Sequence, residues 1–247
     1  MADYDNRSVR SVATGTSVID AGLRAYMLRV YNYMLIGLLV TGATAWTIAN
    51  VPPIRDLFFQ VNAQGRLVGI GGLGWLTVIA QLGLGMFLIF RINRMSVAGA
   101  QTGFWIYSGL MGFTVGFVLL MYTGASVAEV FFITAATFGA MSLYGYTTRR
   151  DLSGFGSFLI MGLIGLLIAV VVNMFLHSAM MQWIISIIGV LIFTGLTAYD
   201  SQKIKESYVA NDDGTVAGRK AIYGALMLYL DFINLFLFLI QLMGNRR

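Results

Sequence analysis

Three carboxylates stand inside long uncharged stretches of this sequence: Glu129, Asp200 and Asp231. An acid at the centre of a membrane-spanning helix costs about 2.5 to 3.5 kcal/mol on insertion scales, so one kept there is a candidate for chemistry. The spacing around two of them is regular. Gly224, Met227, Asp231, Asn234, Phe238 and Gln241 recur at intervals of three and four, as do Ser186, Gly189, Phe193, Thr197 and Asp200. On α-helices each set forms one small or polar face that carries a carboxylate, with Asn234, Gln241 and Thr197 as its polar support. At 1.5 Å per residue, Asp200 lies about 12 Å inside a helix ending near Tyr208, and Asp231 about 16 Å from Lys220. On consecutive antiparallel helices the two acids can therefore be neighbours.

Two carboxylates in a low-dielectric bundle cannot both ionise cheaply, so such a pair is expected to exchange protons as a coupled unit. Ionised, it offers oxygen ligands suited to Ca²⁺; protonated, it hydrogen-bonds between helices and binds the ion poorly. Arg91 closes an apolar run at a depth compatible with Asp200, and a bridge between them would be broken by protonation, which acts in the opposite sense. The sign of a pH response is thus left open by the residues. Plainer readings stand beside these. Asp200 can be a solvated interfacial acid offset by Lys203 and Lys205, Asp231 a structural hydrogen-bonder, and Arg91 a snorkelling end residue. Glu129 starts its span near the outer surface, where a helix N-terminus favours an anion. His177 falls in a short turn, Gly112 and Gly116 form a packing GxxxG, and Asn211-Asp212-Asp213-Gly214 reads as a turn without the spacing of a calcium loop.

The elements that must position these residues follow from composition. Of 247 residues, 58% are hydrophobic and 11% charged, with 29 Gly; soluble domains carry about 25% charge. The fold class is all-α, a polytopic membrane protein, and water-soluble enzyme classes are excluded. Cys is absent and His177 is the single histidine, which removes disulfides, thiolate nucleophiles, cysteine zinc sites and histidine metal clusters; no resident cofactor is expected. The net charge of +5 comes from bases scattered in ones and twos between apolar runs, a topology signal rather than a nucleic-acid surface. Residues 1–22 are polar and are expected to form a disordered cytosolic tail. Residues 23–247 hold the membrane domain. Spans of about 20 apolar residues fit from Val30 to Ile54 and, after a Pro52-Pro53 turn and a polar loop, from Leu67 to Phe90. Two more fit in Met95 to Thr148, turning at Thr123-Gly124-Ala125-Ser126, and two in Leu152 to Tyr199, turning near His177-Ser178. The last runs from Lys220 to Gly244.

With the N-terminus inside, twelve of the 16 basic residues fall in cytosolic segments and four outside: Arg55, Arg66, Arg246 and Arg247. The split favours a cytosolic N-terminus and an outer C-terminus. The terminal Arg pair sits on the wrong side, which a six-span arrangement with a re-entrant last segment would repair.

The segments Leu196-Thr-Ala-Tyr-Asp200-Ser-Gln-Lys-Ile204 and Leu228-Tyr-Leu-Asp231-Phe-Ile-Asn-Leu-Phe236 resemble, in order, the sixth and seventh helices of the transmembrane Bax inhibitor motif family. The likeness runs from about Leu23 to Gly244 and takes in Phe138-Gly139-Ala-Met-Ser-Leu-Tyr-Gly-Tyr146 and Arg149-Arg150-Asp151-Leu-Ser153. The resemblance implies a bacterial inner-membrane protein with seven helices, the last one central and surrounded by three helix pairs. It also implies a pH-sensitive calcium leak, with the aspartate sensor on Asp200 and Asp231, the latch on Arg91, and Ca²⁺ or protons as the moving ions. One departure is that a carboxylate found in the second helix of a leak-forming relative is replaced by Ile79-Ala80-Gln81. Other relatives act as partners of a membrane-bound ATP-dependent protease, so a non-conducting regulator is the alternative.

An enzyme is the third reading, because intramembrane aspartyl proteases also place one aspartate in a Tyr-Asp pair and another on the next helix. Here Leu228-Tyr229-Leu230 stands where that class needs Gly-x-Gly, and the Pro-Ala-Leu element is missing, since Pro52 and Pro53 are the only prolines. A rhomboid-type serine site fails as well, for Ser126 lacks the following glycine context. The expectation is a protein without enzymatic activity.

Overall fold

The computed structural model describes residues 2–62 and 67–246, with side chains from Ala21 onward. The expected tail lies, up to residue 20, outside the residues whose side chains are described, as do Arg66 and Arg247 of the charge count. The helices are α1 (Ala2–Asn50), α2 (Pro52–Phe58), α3 (Gly72–Arg91), α4 (Val97–Met121), α5 (Gly124–Thr147), α6 (Ser153–Leu176), α7 (Ala179–Glu206) and α8 (Gly214–Met243), with strands β1 (Phe59–Val61) and β2 (Leu67–Ile70). Seven helices are long and apolar enough to cross a bilayer: Ala21–Asn50 of α1, then α3 through its 3-10 extension to Arg94, then α4 to α8.

Side-chain caps set four of the six breaks between spans, those before α4, α5, α7 and α8. Ser96, Thr123, Ser178 and Asp213 each accept a hydrogen bond from the backbone N–H three residues on, at 3.1, 3.3, 3.3 and 2.7 Å, relieving donors that a helix start leaves unpaired. His177 closes α6 in the left-handed region with φ 50°, so the tight α6–α7 turn falls where the sequence places it. Three boundaries move, the first being that the opening span covers Ala21–Asn50 rather than Val30 to Ile54. The last helix begins at Gly214, not Lys220, because Asp213 in the polar turn caps it. The Pro52-Pro53 turn and polar loop become a short helix with proline in its first turn and an antiparallel hairpin, so the second span starts at Gly72 instead of Leu67. Phe59 stacks on Phe113 of α4 with ring centroids 5.0 Å apart, which pins this cap to the bundle.

α8 forms the centre. Leu226, Leu228, Tyr229, Leu235 and Ile240 on it are fully buried, and it packs against α1, α4, α5 and α7. The outer six divide three and three rather than into three pairs: α4 lies between α1 and α3, and α7 between α5 and α6. Small residues permit the close approaches. Gly112 and Gly116 seat α4 against Thr44, Ala45 and Ile48 of α1, and Gly145 of α5 meets the backbone of Ala198 on α7. The outer helices α3 and α6 expose Leu76, Ile79, Leu82, Phe158, Ile164 and Phe175, an apolar surface suited to lipid. The chain is an all-α polytopic membrane protein with its last helix central. α8 is unbroken over 30 residues, and its far end joins the α4–α5 turn through Thr123 N–H to Asn245 O at 3.0 Å and Asn245 N–H to Ser126 Oγ at 3.1 Å. Its two ends therefore lie at opposite ends of the bundle, as seven spans require and the re-entrant alternative does not.

Candidate functional site

The polar faces of α7 and α8 meet along one seam. Gly224 leaves room for Ile204. Farther along, the side chains of Asp200 and Asp231 are neighbours across the seam, and both are almost fully buried, 6% and 4% exposed. Phe193 and Phe238 stack next, centroids 5.8 Å apart, with the Phe238 ring filling the notch at Gly189. Gln182 donates to Gln241 beyond them. The seam is thus a column of a carboxyl pair, an aromatic pair and an amide pair.

A carboxylate has only acceptors, so a hydrogen bond between two carboxyl groups requires a proton on one of them. Asp231 Oδ2 has no hydrogen-bond partner and, with Trp105 Nε1, is one of two buried side-chain polar atoms in that condition among the described residues. An orphaned buried oxygen is costly unless protonated or met by a cation. One cavity reaches the pair and a second opens at the far end of the seam. On the side of the α7–α8 turn, a cavity of about 110 Å³ is lined by Asp200, Asn93, Lys203, Ser207, Lys220 and Tyr223. On the other side, an open vestibule of about 450 Å³ is lined by Asn173, His177, Gln182, Ser186, Gln241 and Arg246. No group of three or more His, Asp or Glu able to hold a metal occurs among the described residues. Two carboxylates fall far short of the six to eight oxygens of a resident calcium site.

The other candidates take different places. Thr197 is fully buried and donates to Phe193 O at 2.8 Å, and Asn234 donates to Leu230 O at 2.8 Å; both satisfy themselves on their own helix beside the seam. Glu129 is exposed in the second turn of α5. Arg91 is exposed at the end of α3 and makes no ion pair with Asp200; the ion pairs among the described residues are Arg55–Asp56 and Lys220–Asp212. From that end of α3 it is Asn93 that lines the Asp200 cavity. Gln81, the polar residue of the Ile79-Ala80-Gln81 segment, accepts from Thr114 at 3.0 Å.

Sequence reasoning missed the hydroxyl links that fix the seam. Tyr31 Oη, Ser142 Oγ and Ser201 Oγ form a chain at 2.6 and 2.8 Å, tying α1 and α5 to the residue after Asp200. Tyr229 Oη, two residues before Asp231, lies 2.6 Å from Thr41 Oγ1 on α1. Their partners are 59 to 188 residues apart, a separation no periodicity carries, although hydroxyls in apolar spans next to each acid are a readable signal.

Residues 23–247 match the family described as "Inhibitor of apoptosis-promoting Bax1". The chain is 45% identical to the uncharacterized protein RP147 of Rickettsia prowazekii over the full length of both. It is 46% identical to the inner membrane protein YbhL of Escherichia coli, over 92% of this chain and 94% of that one. It is 35% identical to an uncharacterized membrane protein of Streptococcus pyogenes, over 92% and 95%. With a family match over the whole membrane domain and full-length relatives at these identities, the chain belongs to the Bax inhibitor family of membrane proteins.

Proposed function

We propose that this protein is a pH-sensitive calcium leak of a bacterial inner membrane, oriented with its N-terminus cytosolic, and that the α7–α8 seam is its ion path. The observation that carries the proposal is the buried Asp200–Asp231 pair, with a polar cavity at Asp200 and a polar vestibule at the far end of the same seam. An ion entering from the vestibule passes Gln182 and Gln241, meets the Phe193–Phe238 stack, and reaches the carboxyl pair. Deprotonated, the pair supplies oxygen ligands that replace part of the hydration shell; protonated, it bonds across the seam and holds the two helices together. The stack closes the path in the present state. Arg91 is the latch in this reading: an inward turn at the end of α3, whose Asn93 already lines the Asp200 cavity, brings its guanidinium to Asp200. The chemistry is binding and release of a cation or proton, with no bond made or broken, so the protein is not an enzyme in this account.

The second reading, a non-conducting regulator that binds a membrane-bound ATP-dependent protease, is favoured by Gln81, which is bonded to α4 and leaves no third carboxylate. Purified protein in dye-loaded vesicles separates the two. A Ca²⁺ flux that varies across about pH 5 to 8 and is lost in Asp231→Asn supports the leak. Absence of flux in active, oriented vesicles moves the assignment to the regulator, and Asp231-dependent cleavage of a transmembrane peptide would move it to a protease.

A further inference from the structure

A cleft runs down the bundle surface where the two layers of outer helices fail to close. α1 and α5 both lean on α8, and between them lies a volume of about 900 Å³ floored by Phe138 and Phe232 and walled by Leu35, Leu38 and Leu143. At Gly139 the wall is open, with nothing within 4 Å of a Cβ position. The polar groups gather at one end: Arg24 at the mouth, then the hydroxyls of Tyr31, Ser142 and Tyr146. Among the described residues no acid lines the cleft and Arg24 has no ion pair, and Lys205 donates to Tyr146 O at 2.8 Å from the same end.

We propose that this cleft binds one anionic phospholipid of the adjoining leaflet, its phosphate at Arg24 and its acyl chains lying between α1 and α5. Length and the placement of charge select a lipid over a protein segment. From Arg24 to Leu38 is about 21 Å along α1 at 1.5 Å per residue, matching the roughly 22 Å of one leaflet with its headgroup layer. At Leu38, Phe131 and Phe232 the cleft gives way to a smaller chamber of about 360 Å³ toward the other leaflet, with no charged side chain among its described lining residues, so the charge along this groove is confined to the Arg24 end. Arg24, with Lys205 behind it, selects a negative headgroup, because a base at the membrane surface favours anionic lipid. The hydroxyl chain from Tyr31 through Ser142 to Ser201 joins this lipid to the residue beside Asp200, so occupancy of the cleft and the state of the seam are mechanically connected.

The absence of cysteine in the chain allows a direct test. A fluorophore is attached to the full-length Gly139→Cys variant in vesicles doped with brominated phosphatidylglycerol or brominated phosphatidylcholine, and to Ile164→Cys on the exposed face of α6 as reference. The proposal expects half-maximal quenching at Gly139→Cys at about a fivefold lower mole fraction of the anionic lipid. It expects no such preference at Ile164→Cys, and loss of the preference when Arg24→Gln is added. Equal quenching by the two lipids at both positions overturns the anionic site, and no quenching at Gly139→Cys shows that protein covers the cleft. Native mass spectrometry of the unlabelled protein released from mixed vesicles gives a readout free of the label: retained phosphatidylglycerol that disappears in Arg24→Gln supports the site, and equal retention of both lipids contradicts it.

Discussion

Gly145→Ala is expected to separate α5 from α7 and to destabilise the bundle measurably. A methyl group built at Gly145 falls 2.0 Å from Ala198 O, 2.8 Å from its carbonyl carbon and 2.9 Å from its Cα, all backbone atoms that no rotamer change can move. Ordinary contact begins near 3.4 Å, so the helices must part by about 1.4 Å at this point. The Ser142–Ser201 bond at 2.8 Å, less than one turn away on each helix, then stretches beyond hydrogen-bonding distance. Overpacking costs about 1 to 3 kcal/mol and the lost hydrogen bond about 1 kcal/mol; against this, alanine gains up to about 1 kcal/mol over glycine in a helix interior. The net loss of about 1 to 3 kcal/mol lowers the melting temperature by about 3 to 10 °C for a chain of this size. Gly139→Ala on the same helix, where nothing lies within 4 Å, keeps only the helix gain and should melt at or slightly above the parent temperature. Thermal unfolding in one detergent, followed by circular dichroism, compares them directly. Equal melting temperatures for the two variants would refute the close approach and with it the register that sets Asp200 two residues beyond Ala198.

Phe238→Ala removes the ring that fills the Gly189 notch and stacks on Phe193, so Ca²⁺ entry into vesicles should rise above the parent rate; unchanged or lower flux in folded protein would remove the stack as the closure. Tyr229→Phe deletes the hydroxyl 2.6 Å from Thr41 Oγ1, and a loss of about 1 kcal/mol should appear as a fall of a few degrees in the same melting assay, with a neutral result contradicting the α1–α8 tie. Single cysteines at Asn62 and Asn245 should react with an impermeant reagent from outside the cell and one at Asp213 should not, and labelling of Asn245→Cys from the cytosolic side alone would contradict the proposed topology in favour of a re-entrant last segment.

Much of this arrangement is written in residue types and intervals. Seven apolar stretches separated by Ser, Thr, Asp or His turns specify seven spans, because lipid forces every backbone group into a helix and caps then decide where each one starts. The three-and-four spacing of Asp200 and Asp231 with their small neighbours places both on the seam, since a helical face is a local property. What was not legible is non-local. The hairpin strands are three and four residues long, too short for an alternation signal, and are held by Phe59 against α4. The three-and-three grouping of outer helices depends on the backbone approaches at Gly112 and Gly145, and glycine is too common in this chain to mark two positions in advance. Arg91 shows the limit from the other side: depth along a helix placed it level with Asp200, but the direction in which it leaves α3 is a tertiary property, and it turns outward.

The most direct test of the central claim is a double-mutant cycle of Ca²⁺ flux with Asp200→Asn, Asp231→Asn and the combined variant, measured in dye-loaded vesicles across about pH 5 to 8. Because the two carboxyl groups meet as one unit in the seam, either single substitution should abolish the pH dependence, and the combined variant should behave as the more affected single variant does. A parent flux that does not change with pH, or a flux left intact by both single substitutions, would contradict the account and leave the pair as a structural bond between α7 and α8.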